Sequence, residues 1–226
     1  MGRALVSVTE GLAAVRARID RAVAAAGREP GSVRLVAVSK RHPVEAIREA
    51  HAAGQRVFGE SYAQELERKA AALSDLELEW RFIGHLQRNK AKVVVAAGAG
   101  VDSIDSPRLA TAIHKRASAD GVVVGVRIQV NVAGEAQKSG VATDALDALV
   151  DHVRGLDGLR LEGLMTIPPD GEPEDARPHF RALAALADRY ELPVRSMGMS
   201  GDLEVAIAEG ATEVRIGTAV FGQRPG

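Results

Sequence analysis

The sequence predicts an α/β fold closed into a (β/α)8 barrel of the TIM type, with an extra N-terminal helix. Three observations carry this. Eight short aliphatic segments alternate strictly with helical patterns, which argues for parallel strands joined by helical crossovers. The 226 residues, 46% of them hydrophobic, suffice for one domain with a sizeable core and approach the usual barrel length. Small and polar residues collect where the aliphatic segments end, the face on which barrels keep their chemistry. An open doubly wound sheet is the alternative, since eight strands do not exclude it.

The elements follow in order. Ser7-Val8-Thr9-Glu10 has the capping-box pattern. Val8, Leu12, Val15, Ile19 and Val23 continue at helical spacing to a C′ glycine, Gly27, so a helix precedes the first strand. Strands are expected near 33–38, 56–59, 80–84, 100–104, 122–130, 159–167, 194–199 and 213–216. Helices are expected near 43–54, 60–73, 86–97, from Ser106-Pro107 onward, around 146–155, over 175–190 and over 203–209. Only ten residues follow Ile216, which leaves little room for an eighth helix. The N-terminal helix is expected to cover part of that gap.

Composition removes several function classes. A formal net charge of −1 provides no basic field, and 3% aromatic residues offer few stacking platforms, so nucleic acid is not an expected partner. The absence of cysteine excludes disulfides, thiolate metal sites and cysteine nucleophiles. The six histidines lack zinc-motif spacing, and no dinucleotide, Walker or G-x-S-x-G pattern occurs. Met1-Gly2-Arg3-Ala4-Leu5 lacks the apolar core of a signal peptide, and no run approaches the ~18 apolar residues of a membrane span. The expectation is a soluble, cytoplasmic, monomeric protein of one domain, 1–226, without a membrane partner.

The strand ends carry the candidate chemistry. Leu35-Val36-Ala37-Val38 is a buried-strand run that ends in Ser39-Lys40, ahead of Pro43. This puts the amine of Lys40 in the crevice where such folds bind ligands, or lets it reach solvent from a strand end. After the seventh and eighth strands come Met199-Ser200-Gly201 and Gly217-Thr218, where barrels often bind phosphate. Glycine admits close backbone approach, and hydroxyls and free N–H groups hold an anion. Ser200 also reads as a plain N-cap. Arg215 lies inside the last strand and needs either a buried partner or an outward-facing stem. Asp102 and Asp105 form a candidate carboxylate pair, although a helix cap before Pro107 explains Asp105 or Ser106 equally well. Arg81, His85, Arg88, Lys90 and Lys92 form a locally basic strip that reads as a solvated helix face.

Several segments carry a resemblance. They are Leu35 to Lys40, Phe58-Gly59-Glu60, Phe82-Ile83-Gly84-His85-Leu86-Gln87-Arg88-Asn89-Lys90, Ser103 to Ser106, Lys138-Ser139-Gly140, Gly163 to Pro168, Ser196 to Asp202 and Val214 to Gly222. On these the sequence resembles the pyridoxal-phosphate homeostasis protein family, single-domain relatives of the alanine racemase barrel. The resemblance implies pyridoxal 5′-phosphate as cofactor, Lys40 as its Schiff-base lysine, and Ser200, Gly217 and Thr218 on its phosphate. Arg215 would face the pyridine nitrogen, and Met199, Ile83 and His85 would line the ring pocket. Ser61 stands where the family usually has Asn and is shorter, so the resemblance implies that this contact with the ring is lost or bridged by water. At an ordinary pKa of ~10.4, about one lysine in 2,500 is neutral at pH 7, so burial or a neighbouring cation such as Arg215 would favour the reactive form of Lys40. The implied role is vitamin B6 homeostasis or delivery, with apo-enzymes that use the cofactor as possible recipients. The alternative is an amino-acid racemase. Full racemases add a β-rich domain and a partner's tyrosine, whereas this sequence has only Tyr62 and Tyr190.

Overall fold

The chain winds eight parallel strands into a closed barrel. The computed structural model describes residues 7–135 and 138–223. The stretch 1–5, on which the missing signal peptide is read, lies outside the described residues. The strands are β1 (Arg34–Val38), β2 (Val57–Glu60), β3 (Glu79–Phe82), β4 (Gly100–Ile104), β5 (Val124–Asn131), β6 (Val141–Ala142), β7 (Leu159–Met165), β8 (Val194–Ser196) and β9 (Glu213–Ile216). Their order is β4-β3-β2-β1-β9-β8-β7-β5, and a β4–β5 pairing closes the ring. Closure removes the open-sheet alternative. The two-residue β6 lies outside the ring, where Val141 and Ala142 pair with Val130 and Asn131 at the end of β5. It is too short to register as a hydrophobic period.

The helices are α1 (Val8–Ala25), α2 (Val44–Ala52), α3 (Ala63–Ala72), α4 (Ala91–Ala96), α5 (Pro107–Asp120), α6 (Leu146–Arg154), α7 (Arg177–Arg189), α8 (Leu203–Ala208) and α9 (Thr218–Phe221). The capping box of α1 is formed: Ser7 Oγ accepts from the Glu10 N–H at 3.2 Å, and the Glu10 carboxylate accepts from the Ser7 N–H at 2.9 Å. Leu12, Val15, Ile19 and Val23 are buried along one face. Gly11 lies so close to α9 that a Cβ there would run into the Val220 carbonyl. The extra N-terminal helix thus covers the sector that the single turn of α9 leaves open. Among the described residues no helix is long and apolar enough to cross a membrane.

Several boundaries are shorter than expected. Val122 and Val123 precede β5 and are exposed, because pairing with β7 begins only at Val124 opposite Leu159. β8 stops at Ser196, and Gly198 then takes a left-handed φ of 97° that ends the strand direction. The expected helix over 86–97 splits into a 3-10 turn, Arg88–Lys90, and α4.

Strand parity separates two environments. Leu35, Ala37, Phe58, Trp80 and Phe82 join the apolar layer beneath the helices, with the Phe58 and Trp80 rings 5.9 Å apart. The opposite faces line a charged barrel interior. Arg127 is wholly buried there and reaches Asp102 Oδ2 at 2.6 Å and Glu213 Oε2 at 2.9 Å. Arg81 donates to the other oxygen of Asp102 at 2.9 Å through Nε. Burial opposes the Arg81 charge, but Asp102 and Glu162 outweigh it and hold the guanidinium protonated. Arg127→Met would leave two buried carboxylates short of a cation. We expect unfolding free energy to fall by about 3–5 kcal/mol in urea titrations followed by circular dichroism; a loss below about 1 kcal/mol, the size of a surface pair, would mean that this network does not brace the barrel.

Candidate functional site

The nine residues to which the resemblance assigns the cofactor lie within or just after the carboxyl ends of five consecutive strands: β8, β9, β1, β2 and β3. Pairing fixes this. Ala37 of β1 faces Ile216 of β9 on one side and Phe58 of β2 on the other. Lys40 therefore follows β1 at the level where Gly217 and Thr218 follow β9 and Ser61 follows β2. Met199 and Ser200 join through the Arg215 N–H, which donates to the Gly198 carbonyl at 2.9 Å. Ile83 joins through its own N–H, which donates to the Glu60 carbonyl at 2.8 Å.

The inner face at this mouth is narrow and glycine-lined. A Cβ on Gly59 would meet Val36, Val38 and Ile83 at 3.1–3.5 Å, so these apolar side chains share one inner surface. A Cβ on Gly217 would stand 3.2 Å from the Val38 carbonyl, so a side chain there would crowd the strand that leads to Lys40. Thr218 is exposed at the rim, and Met199 and Ser200 are half-buried. Ser200 is not the N-cap of α8: Asp202 holds that position and accepts from the Met199 N–H at 2.6 Å. The Ser200 carbonyl is tied back to α1 by Arg18 at 3.1 Å.

Arg215 points into the barrel, which overturns the outward-stem reading. Its guanidinium donates to Ser196 Oγ at 2.9 Å and to the Thr166 carbonyl at 2.8 Å. Burial pulls its pKa down from the usual arginine value, while Asp102 and Glu213 pull it back up. Ser196 Oγ in turn donates to Glu213 at 2.9 Å, which joins Arg215 to the interior network. Two of its five N–H donors are used in these bonds.

Other expectations change. His85 is exposed, with Nδ1 3.6 Å from Asp105 Oδ2 at the rim. It borders a cleft of about 600 Å³ with Arg88, Asp105 and Arg108. Asp102 and Asp105 do not form a pair, because the first is held inside the barrel by Arg81 and Arg127 and the second lies at the mouth. Arg81 is buried, which removes it from the basic strip. A cleft of about 860 Å³ opens at the amino-terminal mouth among Arg34, Glu79 and Glu162, the end opposite to Lys40.

Sequence reasoning missed the supports of the Lys40 turn. Ser39 Oγ donates to Glu60 at 2.7 Å, and Lys69 from α3 donates to the same carboxylate at 2.7 Å. Burial pushes the Glu60 carboxyl pKa up against the pull of Lys69 and Ser39. The available signal was a lysine on the buried side of α3, level with Leu66 and Ala63.

Residues 11–225 match the family model for the alanine racemase N-terminal domain. A pyridoxal phosphate homeostasis protein of Aquifex aeolicus is 46% identical over 97% of this chain and 99% of its own length. The Pseudomonas aeruginosa protein of that name is 48% identical over 96% of each chain. Among solved structures, PipY of Synechococcus elongatus with PLP bound superposes with a TM-score of 0.84 at 36% identity, covering 96% of this chain and all of that one.

The surroundings of Arg215 set an expectation for stability. Its direct partners are a hydroxyl and a carbonyl, not a carboxylate. Arg215→Met should cost no more than about 1 kcal/mol in urea unfolding, because losing a desolvated cation offsets the unpaired Thr166 carbonyl. A loss as large as that of Arg127→Met would make Arg215 a brace of the fold.

Proposed function

Because this chain belongs to the pyridoxal phosphate homeostasis protein family, built on the alanine racemase N-terminal domain, we propose that it binds pyridoxal 5′-phosphate through a Schiff base on Lys40. It then serves intracellular, cytoplasmic vitamin B6 homeostasis or delivery. The observation that carries the reading is the convergence of Lys40, Arg215 and the Gly217-Thr218 loop on one barrel mouth through the β1–β9 pairing. The cofactor supplies an aldehyde and an electron-withdrawing ring; the rest of the chemistry belongs to the protein.

The residues fit the group. Gly217 keeps backbone open beside β1, and Thr218 and Ser200 bring hydroxyls to the loops after β9 and β8 for a phosphate. Val36, Val38, Ile83 and Met199 supply an apolar surface for a ring. Ser61 replaces a longer amide at the rim. Arg215 has N–H donors beyond those given to Ser196 and Thr166 for a ring nitrogen. A guanidinium stays cationic, so it donates a hydrogen bond there without surrendering the proton. That keeps the ring a weak electron sink and favours holding over turnover. The racemase alternative needs a second proton donor. The Tyr190 hydroxyl donates to Asp147 in the outer helix layer at 2.5 Å. Tyr62 lies at the start of α3, within 3.4 Å of the Arg41 guanidinium.

Adding pyridoxal phosphate to the purified protein should give a visible absorbance band that borohydride fixes on Lys40, mapped by peptide mass spectrometry. A fixed adduct on another lysine, with covalent binding retained in Lys40→Ala, would refute the assignment. Ser200→Ala and Thr218→Val should each weaken pyridoxal phosphate by roughly 10–150-fold, the value of a hydrogen bond to a charged group, and weaken pyridoxal far less. Equal weakening of the two ligands would mean that these residues shape the pocket without holding phosphate.

A further inference from the structure

Lys40 lies in a turn that is clamped on both sides by one helix. On its amino-terminal side, the Ser39 carbonyl accepts from Lys69 Nζ at 2.7 Å and from the His42 N–H at 3.0 Å, and Ser39 Oγ donates to Glu60 at 2.7 Å. On its carboxyl-terminal side, the Arg41 N–H donates to Glu65 Oε1 at 2.6 Å. Lys69 Nζ closes the circuit, donating to Glu60 and Glu65 at 2.7 Å each. The side chains of Lys69 and Glu60 are almost wholly buried, and that of Glu65 is 13% exposed.

Arg41 has a φ of 63°, a left-handed conformation that a residue with a side chain rarely adopts. Such a residue persists only where its surroundings over-determine it, and these residues cluster at functional sites. Here the surroundings are Glu65 on the Arg41 N–H and the Tyr62 ring, whose centroid lies 5.7 Å from the Arg41 guanidinium carbon. The left-handed residue turns the chain sharply after Lys40. Lys69 itself is no competitor for an aldehyde, because all three ammonium donors are engaged.

We infer that Lys69 is a positioning residue for Lys40: its ammonium, anchored by Glu60 and Glu65, fixes Ser39 and Arg41 so that the amine between them is presented to the cofactor's aldehyde. The inference rests on the Lys40 reading above. In the step it serves, the Lys40 nitrogen attacks the aldehyde carbon and forms the C=N bond. The aldehyde oxygen departs as water, carrying both hydrogens of the neutral amine. The proposed phosphate contacts and the Arg215 contact come from β8 and β9, and Val36 and Val38 are held within β1 by its strand pairing, so this clamp acts chiefly on the covalent link.

That separation defines the test. Pyridoxal phosphate and pyridoxine 5′-phosphate share ring and dianion, but only the first has an aldehyde. In Lys69→Met, affinity for pyridoxal phosphate should fall at least about tenfold, while that for pyridoxine phosphate should change less than about twofold. Lys69→Arg, which keeps a cation between the two carboxylates, should recover most of the loss. Glu65→Ala removes the Arg41 tether from a less buried position, keeps the test available if Lys69→Met does not fold, and should move the two ligands apart in the same sense. Equal weakening of both ligands would make the cluster merely structural, and no weakening of pyridoxal phosphate would remove its role. Wild-type protein in which borohydride fails to label Lys40 would overturn the Lys40 reading first, independently of any Lys69 variant.

Discussion

The Arg127 guanidinium, bonded to Asp102 of β4 and Glu213 of β9, is the constraint on which the rest of the barrel depends. A barrel interior is ordinarily filled by branched aliphatic side chains. Here cations and carboxylates occupy several of its inward positions, and each charge is tolerable only beside its opposite. β4 and β9 are not neighbours in the ring, so the pair of bonds braces the barrel across its width. It also specifies register, since a one-residue slip in β5 would carry Arg127 into the apolar layer under the helices.

The same network reaches the candidate site. Glu213 accepts from Ser196, and Ser196 accepts from Arg215. A cation is thereby maintained near the carboxyl mouth, where its hydrogen bonds among the described residues go to a hydroxyl and a carbonyl. The opposite arrangement holds behind Lys40, where Lys69 commits all three of its donors to Glu60, Glu65 and the Ser39 carbonyl. One set of charges is arranged to meet something; the other is arranged to hold the chain still.

Much of this was legible in the sequence. Alternation and length gave the eight barrel strands, Ser7 and Glu10 gave the start of α1, and the apolar run 35–38 put Lys40 at the carboxyl end of the first strand. The residues around the mouth followed because strand ends are where such folds keep polar groups. What escaped depends on partners distant in sequence. Arg127 looks like an interruption of an aliphatic strand until Asp102 and Glu213 stand beside it. Lys69 falls on the buried side of α3, but its partners Glu60 and Ser39 come from the end of β2 and the turn after β1. Asp102 and Asp105 invited pairing by proximity in sequence, but three residues along a strand end separate the barrel interior from its rim. His85 followed a strand like the other candidates, yet its loop carries it outward towards Asp105.

The position of β9 between β1 and β8 has a consequence for how the molecule comes into being. Arg34 and Glu213, 179 positions apart, are bonded neighbours at the seam of the ring. No other strand pairing in the ring joins positions so far apart in sequence, and non-local pairing is slow to form because a long loop must close before any contact rewards it. During synthesis Lys40 and its supports from α3 emerge early, whereas Arg215, Gly217 and Thr218 arrive with the strand that shuts the ring. A nascent chain thus carries Lys40 long before the β9 side of the candidate site exists. The candidate site is completed in one late event, together with closure of the barrel itself.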